Sequence, residues 1–347
     1  MGRMDIKIKV QPEDFIVQES QSILISLSDR NMEYTVISLG KKGYTTFEAI
    51  SLMSDFFDIE QSLLGYAGLK DEDGVTYQFV SIPINIRISD RIQEFNEQYK
   101  GDDKFISVIV IGYSDKRIRI GKLQGNAFKI RLRNVPENVA KNLRVGVRSR
   151  VVFPNYYDTQ RFGLPNMPKR THLIGEALYN EKFDLAMEHM KEGTPEDYKG
   201  SENFSDNKSF FNSMNRSKLS FYYNAFTSNM YNSFLRERIK ENMQCVDRCY
   251  DGIEYAMPKN GNHLTRLGDD LEKICVPRYD IDKNMELTLK YYYRYSYIDT
   301  IIHINAIDED TVFERMNSIC VDFFLPSGCY ATMAIKQFLC NLEYQAG

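Results

Sequence analysis

Residues that enzymes commonly use for catalysis or metal binding are scarce in this chain of 347 residues. Tryptophan is absent, so the aromatic content rests on 23 tyrosines and 21 phenylalanines. The histidines fall in no metal-binding pattern and offer little material for a catalytic triad. The sequence therefore favours a site built on a carboxylate, with aromatic and amide side chains around it, over a histidine-based site. The four histidines are His172, His189, His263 and His303.

The cysteines show neither the spacing of a disulfide framework nor that of a zinc site. All six lie in the last third of the chain. Cys245 and Cys249 are four positions apart, and no histidine is close to them in sequence. We interpret the six as buried or unreactive thiols. They are Cys245, Cys249, Cys275, Cys320, Cys329 and Cys340.

Familiar nucleotide-binding and hydrolase motifs are missing, and so are membrane and secretion signals. The segment "GLKDEDG" (68–74) lacks the Gly-Lys-Ser/Thr ending of a phosphate-binding loop. No Gly-x-Gly-x-x-Gly opens a helix and no Gly-x-Ser-x-Gly elbow occurs. No run approaches the ~20 apolar residues of a membrane span. The N-terminal "MGRMDIKIKV" alternates like a strand instead of forming a secretory signal, so we expect a cytoplasmic protein.

Positive charge is concentrated in the middle of the chain. Between Asp115 and Arg170 there are fourteen Lys or Arg and three acids, a local charge of +11 in a chain whose net charge is −4. Such asymmetry predicts a polyanionic partner or an acidic substrate. The alternative is a solvated basic face without a function.

The spacing of apolar residues predicts a strand-rich N-terminal part followed by helices. Period-2 alternation indicates short strands within 5–40. Helical spacing begins at a threonine cap in 45–59 and recurs in 136–148 and 218–243. Residues 191–217 are polar and predict a flexible connection.

Three segments have the composition needed to hold a nucleobase: "PEDFIVQE" (12–19), "PNYYDTQRFG" (154–163) and "LPSGCYAT" (325–332). Aromatic rings stack on bases, and amides read their Watson–Crick edges. Each segment also has a structural interpretation, since an aromatic can fill a core and an asparagine can cap a turn. The candidate residues are Phe15, Asn155, Tyr157, Gln160, Arg161 and Tyr330.

The loop "GYAGLKDEDGVTYQ" (65–78) contains three successive acids after Lys70, namely Asp71, Glu72 and Asp73. Taken alone, it has the pattern of a charged hairpin turn, because Asp-Gly is a strong turn signal. The alternative is that one of the three carboxylates is a catalytic group.

Taken together, these segments resemble the ordered motif set of the TruD family of tRNA pseudouridine synthases. The loop at 65–78, "GKLQGNAFKIRLRN" (121–134) and "NYYDTQRFG" (155–163) follow the family's order, and the likeness extends from residue 12 to about 336. The helix expected at 218–243 resembles a segment of the domain that is inserted in the family's catalytic fold. Residues 245–305 show no resemblance.

The resemblance implies an α/β (α+β) fold with a pseudouridine-synthase-like catalytic domain. Its sheet would be mixed and largely antiparallel, and a smaller α/β domain would be inserted in it. The expected boundaries are 1–175 and 305–347 for the catalytic domain and 176–304 for the inserted domain. The family precedent is a monomer.

The resemblance also implies a reaction and gives the candidate residues roles. Asp71 would be the catalytic carboxylate in converting a tRNA uridine, at position 13 in the family, to pseudouridine without a cofactor or metal. Phe15, Asn155, Tyr157 and Tyr330 would contact the substrate. A uridine within a helix must be flipped out before a side chain can reach it, which calls for aromatic walls and an amide.

The cations near the motifs have two possible roles. Lys70 or Arg161 could hold the pKa of Asp71 low, because a nearby positive charge favours the ionised carboxylate. Lys70 and Asp71 would point to opposite faces of an extended chain, so Lys70 is expected to contact a phosphate or to anchor the turn. Gln160 and Arg161 are expected to bind substrate, and the basic block to receive tRNA phosphates.

The sequence departs from the family pattern at a few positions. Glu72 and Asp73 replace a basic residue and its neighbour, and Asp158 replaces a glycine. Extra acids oppose contact with a polyanion. Two alternatives therefore stay open: a non-catalytic RNA-binding or tRNA-chaperone protein, and a pseudouridine synthase that acts on another RNA.

Overall fold

The chain forms two compact units, each made of two separate segments. The sheet unit comprises Gly2–Arg150 and Thr300–Gly328, and the helical unit comprises Val151–Asp299 and Cys329–Gly347. Asp71 lies outside the residues that the structure describes. In this computed structural model, those residues are 5–70, 72–119, 121, 123–267, 272–282, 284 and 286–345.

The secondary structure is rich in strands up to Pro154, mainly helical between Thr171 and Asn242, and again rich in strands before a final helix. The strands are β1 (Phe15–Gln21), β2 (Tyr34–Lys42), β3 (Gly65–Tyr66), β4 (Val75–Pro83), β5 (Phe105–Ser114), β6 (Leu123–Val135), β7 (Arg148–Pro154), β8 (Cys245–Tyr250), β9 (Ile253–Pro258), β10 (Lys273–Ile281), β11 (Leu287–Tyr295), β12 (Tyr297–Glu309) and β13 (Asn317–Pro326). The helices are α1 (Thr46–Phe57), α2 (Ile92–Gln98), α3 (Glu137–Ala140), α4 (Thr171–Tyr179), α5 (Phe183–Gly193), α6 (Pro195–Tyr198), α7 (Asn207–Ser213), α8 (Arg216–Asn242) and α9 (Ala331–Gln345).

A single large sheet organises the sheet unit. Its strand order is β5-β2-β4-β1-β6-β13-β12, with β3 on β4 and β7 beyond β12. β1 and β4 run parallel, whereas the β2–β4, β2–β5, β1–β6, β6–β13 and β12–β13 pairs are antiparallel. The prediction of a mixed, largely antiparallel sheet is confirmed.

Helix α1 covers one face of this sheet, and its start was readable from sequence. The Thr45 hydroxyl accepts a hydrogen bond from the Glu48 N–H at 3.2 Å, and the Glu48 carboxylate accepts one from the Thr45 N–H at 2.7 Å. This reciprocal cap satisfies two N–H groups that a helix start leaves without partners. The apolar side of the helix packs on strands β2, β4 and β5 through Ala49, Ile50, Met53, Ile37, Leu39, Val80, Ile82 and Val108.

A buried charge network fixes the start of β1 to strand β6. The Arg133 guanidinium donates to both carboxylate oxygens of Asp14, at 2.8 and 2.9 Å, and to Asp310 at 2.9 Å. The hydrogen bond to Asp14 is the main reason that the pKa of Arg133 lies above its usual value. The two bonds to Asp14 come from one N–H, at Nε, which is shared between the carboxylate oxygens. Charge-assisted hydrogen bonds are stronger than neutral ones, so the network holds Asp14, the residue before Phe15, in place.

The helical unit has its own core between α4, α5, α7 and α8. The long helix expected at 218–243 is confirmed as α8, which Asn215 caps by accepting from the Ser217 N–H at 2.9 Å. None of the helices in the described ranges combines the length and apolar character needed to cross a bilayer.

Two expectations from the sequence pattern were wrong. The helix expected over 136–148 ends at Ala140, and Gly146 adopts a φ of 85°, which lies in the left-handed region. The segment 191–217, expected to be a flexible connection, contains α6 and α7. Helix α7 forms there because Phe210 and Phe211 bury their rings in the core of the helical unit.

Candidate functional site

Lys70 joins three of the sequence motifs in the sheet unit. Its ammonium lies 2.9 Å from the carboxylate of Glu19, the last residue of "PEDFIVQE", and donates to the side-chain oxygen of Asn126 at 2.7 Å. The Lys70 side chain is 9% exposed and that of Glu19 is 0% exposed. A cation in this position is screened from the solvent, where phosphates would lie. The placement favours the interpretation of Lys70 as an anchor of the loop.

The backbone of Lys70 is held as firmly as its side chain. Its N–H donates to the Thr46 hydroxyl at 2.9 Å, and its carbonyl accepts from the Lys41 ammonium at 3.2 Å. Lys70, which these two bonds hold in place, is the residue directly before Asp71. The backbone is therefore fixed at Lys70.

After Asp71, the loop exposes its acids and then runs against β1. Glu72 and Asp73 are exposed, whereas Gly74 is buried. A Cβ at Gly74 would lie 2.5 Å from the carbonyl oxygen of Phe15, so a side chain is excluded there. The loop and Phe15 are thus neighbours in the sheet unit.

Phe15 belongs to a row of aromatic rings on the sheet. Its ring packs edge-on against Phe128 with centroids 6.0 Å apart, and Phe128 stacks on Phe323 at 5.5 Å. The Lys9 ammonium lies 4.4 Å from the centroid of the Phe15 ring. Phe15 is 8% exposed. This packing agrees with the strand-anchor interpretation, and base contact by Phe15 stays a prediction.

In the helical unit, Asn155 is buried and its amide is already engaged. Arg294 donates to the Asn155 side-chain oxygen at 2.8 Å and to the Asn155 carbonyl at 3.0 Å. The amide nitrogen of Asn155 donates to the carbonyl of Tyr295 at 2.9 Å. Arg294 was missed from the sequence because the surrounding residues, 245–305, showed neither a resemblance nor a clear pattern.

The same guanidinium organises the tyrosines beside Asn155. The Arg294 guanidinium carbon lies 4.1 Å from the ring centroid of Tyr157 and 5.5 Å from that of Tyr231. Tyr157 meets Tyr330 edge-on with centroids 6.2 Å apart. Burial raises the pKa of Tyr330 to about 12, so its hydroxyl stays protonated at neutral pH. The structure thus brings Asn155, Tyr157 and Tyr330 together in one cluster, and their contact with a substrate stays a prediction.

Arg161 and Gln160 lie on the short turn that follows these residues. Arg161 donates to the Ser228 hydroxyl at 3.1 Å, and its guanidinium carbon is 5.8 Å from the Tyr157 ring centroid. Arg161 is half-buried, whereas Gln160 is exposed. Of these two residues, Arg161 is the one that lies against the Tyr157 ring.

Asp158, the acid that replaces the family's glycine, connects two motifs inside the helical unit. Its side chain is 4% exposed and pairs with Lys336 of α9, while Thr332 donates to it as well. Burial alone would raise the pKa of Asp158, but the Lys336 charge and the hydrogen bonds outweigh burial and lower it. The negative charge of Asp158 is therefore balanced by Lys336, and this ion pair fixes the 154–163 segment to α9.

Replacing Asp158 with asparagine should lower the free energy of unfolding by about 1–3 kcal/mol at pH 7, because Lys336 would lose a charged partner. The folded-state pKa is below the unfolded-state value of about 3.9, so the carboxylate contributes fully above that value. Its contribution is lost as the pH falls through the folded-state pKa. Urea titrations should therefore show that the difference in free energy of unfolding between wild type and Asp158→Asn becomes smaller as the pH falls from about 5 to about 3. A constant difference over that range would contradict the pairing.

Comparisons with known proteins agree with the motif set. The family described as tRNA pseudouridine synthase D (TruD) matches residues 1–202. The tRNA pseudouridine synthase D of Geobacter sp. (strain M21) is 32% identical over 185 residues, which are 53% of this chain and 43% of that protein. The tRNA pseudouridine synthase D of Colwellia psychrerythraea is 26% identical over 354 residues, covering 88% of this chain and 83% of the relative.

A solved structure extends the likeness along the chain. The structure of a protein from Methanosarcina mazei that bears the same family name superimposes with a TM-score of 0.63 at 19% identity. The match covers 99% of this chain and 95% of the other, and it confirms the predicted pseudouridine-synthase-like fold. Several of the curated relatives are matched over only part of their length, 41% to 43% for the Geobacter protein and two archaeal ones.

Proposed function

The chain belongs to the TruD family of tRNA pseudouridine synthases, and on that premise we propose that it converts a uridine of tRNA to pseudouridine. The family match confirms the resemblance predicted from the motifs. The observation that carries the proposal is the convergence at Lys70. Glu19 and Asn126, which come from two other motifs, hold the residue that directly precedes Asp71. Such bonding is what a loop needs to present one carboxylate in a fixed geometry.

The reaction that we assign is an isomerisation, so no atom is gained or lost. The bond between N1 of uracil and C1′ of ribose breaks, the base turns, and a bond from C5 to C1′ forms. The proton on C5 is lost and N1 gains one. Asp71 would act as an ionised carboxylate, either as the nucleophile or as the base. This scheme needs no cofactor or metal ion.

The flipped uracil would be held by aromatic walls and one amide donor. We assign the walls to Phe15, Tyr157 and Tyr330, since base–aromatic stacking contributes ~1–3 kcal/mol per base. Asn155 uses one amide hydrogen on the Tyr295 carbonyl. An amide nitrogen carries two hydrogens, and we assign the second to a uracil carbonyl.

The surrounding cations would bind the rest of the RNA. Lys129, Arg144 and Arg148 of the basic block are exposed on the sheet unit. Each phosphate neutralised by such a residue releases counterions, so tRNA affinity should fall as salt rises. We propose the same kind of contact for Gln160 and Arg161, through a phosphate or a ribose.

The remaining parts of the assignment are proposals as well. Residues 1–175 and 305–347 would form the catalytic domain, and 176–304 the inserted domain. The target would be the uridine at position 13, and the protein would act as a monomer in the cytoplasm.

The direct test is to incubate the protein with an unmodified tRNA transcript and map pseudouridine at single-nucleotide resolution. We expect one new pseudouridine, at position 13. Product on a different RNA but not on tRNA would replace the substrate assignment. Tight tRNA binding with no product on any RNA would support the non-catalytic alternative and overturn the enzyme assignment.

A further inference from the structure

The β10–β11 hairpin of the helical unit displays a row of exposed tyrosines that belongs to none of the sequence motifs. Tyr291 is 65% exposed, Tyr293 is 72% exposed and Tyr295 is 47% exposed. Successive side chains of a strand alternate between faces, so these three share one face at a spacing of ~7 Å. In the antiparallel register they lie opposite Pro277, Cys275 and Lys273.

The hairpin is anchored to the rest of the helical unit through buried side chains on its opposite face and through the backbone of strand β10. Val276 and Arg294 are buried on that face, at 1% and 9% exposed. On strand β10, the Tyr279 backbone bonds to the Asn224 side chain of α8 in both directions, at 2.9 and 2.7 Å. The tyrosine face is therefore carried by an ordered support. The strand that carries it also carries Arg294, which holds Asn155 and Tyr157.

The charges of the hairpin favour a polyanionic ligand on the tyrosine face. Among the described residues of the hairpin strands, Lys273 is the one charged side chain on that face. Its ammonium lies 4.7 Å from the ring centroid of Tyr295. Asp280 stands on the opposite face, where it pairs with Lys290 at 2.7 Å. The tyrosine face thus combines aromatic surface with a cation and has no acid of its own strands to repel phosphate.

Aromatic side chains spaced along a strand are a sequence-tolerant means of binding unpaired nucleotides, because every base offers a π-face. We propose that Tyr291, Tyr293 and Tyr295 form a stacking platform for unpaired bases of the RNA substrate, separate from the residues that hold the reacting uridine. The inference rests on the proposed function in one respect, which is that the ligand is RNA. It adds a binding surface in the 245–305 segment, where the sequence showed no resemblance to the family.

The test compares RNA affinities of matched hairpin variants by fluorescence anisotropy, with labelled unmodified tRNA and a labelled single-stranded oligouridine. Tyr291→Ala combined with Tyr293→Ala should weaken binding of both RNAs about tenfold or more, because two stacking surfaces are lost. Tyr291→Phe combined with Tyr293→Phe should stay within about twofold of wild type. Because both tyrosines are largely exposed, neither double variant should change the unfolding midpoint by more than a small amount.

Leu287 and Leu289 provide the matched control. They are exposed on the same face of the same strand, at 40% and 45%, but have no ring to stack. Their double alanine variant should bind RNA like the wild type. Raising the salt should weaken wild type and the Tyr291→Ala/Tyr293→Ala variant in parallel, since stacking releases no counterions.

Several outcomes would overturn the proposal. These are an unchanged affinity of the tyrosine-to-alanine variant, an equal loss in the leucine variant, and an equal loss in the phenylalanine variant. A dimer in solution that the tyrosine variant disrupts would assign the face to a second copy of the chain instead. Failure of the proposed function is distinguishable: wild type would then bind RNA through these tyrosines yet form no pseudouridine.

Discussion

Asp71→Asn is expected to lower pseudouridine formation by about 10³-fold or more, while tRNA affinity stays within about threefold of wild type. Asparagine keeps the size and the hydrogen-bonding shape of the side chain. It cannot attack C1′ as a nucleophile or accept a proton as a base, so both mechanistic alternatives predict the same loss. The measurement is single-turnover conversion of unmodified tRNA with enzyme in excess, alongside a separate binding titration.

Asp73→Asn is the matched control for Asp71→Asn. Asp73 is an exposed acid of the same loop, two positions further on. Its replacement should preserve the single-turnover rate and strengthen tRNA binding slightly at low salt, because one negative charge is removed from a surface that faces a polyanion. If Asp73→Asn abolished product formation and Asp71→Asn did not, the assignment of the catalytic role to Asp71 would be wrong. Wild-type activity in both variants would exclude Asp71 and Asp73 as the catalytic carboxylate.

The sequence predicted those features of the structure that depend on residues close together in the chain. The start of α1 could be predicted because the Thr45–Glu48 cap is built from residues three positions apart. Strand β6 alternates between buried and more exposed side chains along much of its length, whereas β2 is buried at most positions because apolar clusters lie on both of its faces. The motif set identified the family, and through it the fold, although no single motif had decided either.

The contacts that assemble the candidate site could not be read in this way, because they join distant positions. Lys70 and Asn126 are 56 residues apart, and Asp158 and Lys336 are 178 apart. From the sequence, Asp158 was an extra acid near a polyanion binding site. Its partner on α9 makes it an internal pair, which no local pattern could indicate.

Arg294 was missed for a more specific reason. In "LTLKYYYRY" (287–295), the charged Arg294 is the buried position and the tyrosines and leucines around it are exposed. The usual expectation, apolar residues inside and charged residues outside, is reversed on this strand. A buried arginine is tolerated there because Asn155 accepts from it twice and two tyrosine rings lie against it.

Lys70→Met should lower the free energy of unfolding by about 3–5 kcal/mol, because it leaves the Glu19 carboxylate buried without its cation. The double variant Lys70→Met/Glu19→Gln should recover most of that loss. Glutamine removes the charge and still offers an oxygen to the Phe79 N–H, which donates to Glu19 at 3.1 Å in the wild type. Urea titration measures the free energy of unfolding of the single and the double variant. Lys129→Met, which removes an exposed lysine of β6, should stay within about 0.5 kcal/mol of wild type.

The same double variant separates the two roles that the sequence left open for Lys70. If Lys70 contacts a phosphate, its loss should reduce the slope of log affinity against log salt by about one. If Lys70 is an anchor, as its bonds to Glu19 and Asn126 indicate, the slope should be unchanged. In that case the conversion rate should fall, since the chain before Asp71 would lose the ammonium that fixes it. A reduced slope with an unchanged rate would contradict the anchor, and it would require the ammonium to leave Glu19 when tRNA binds.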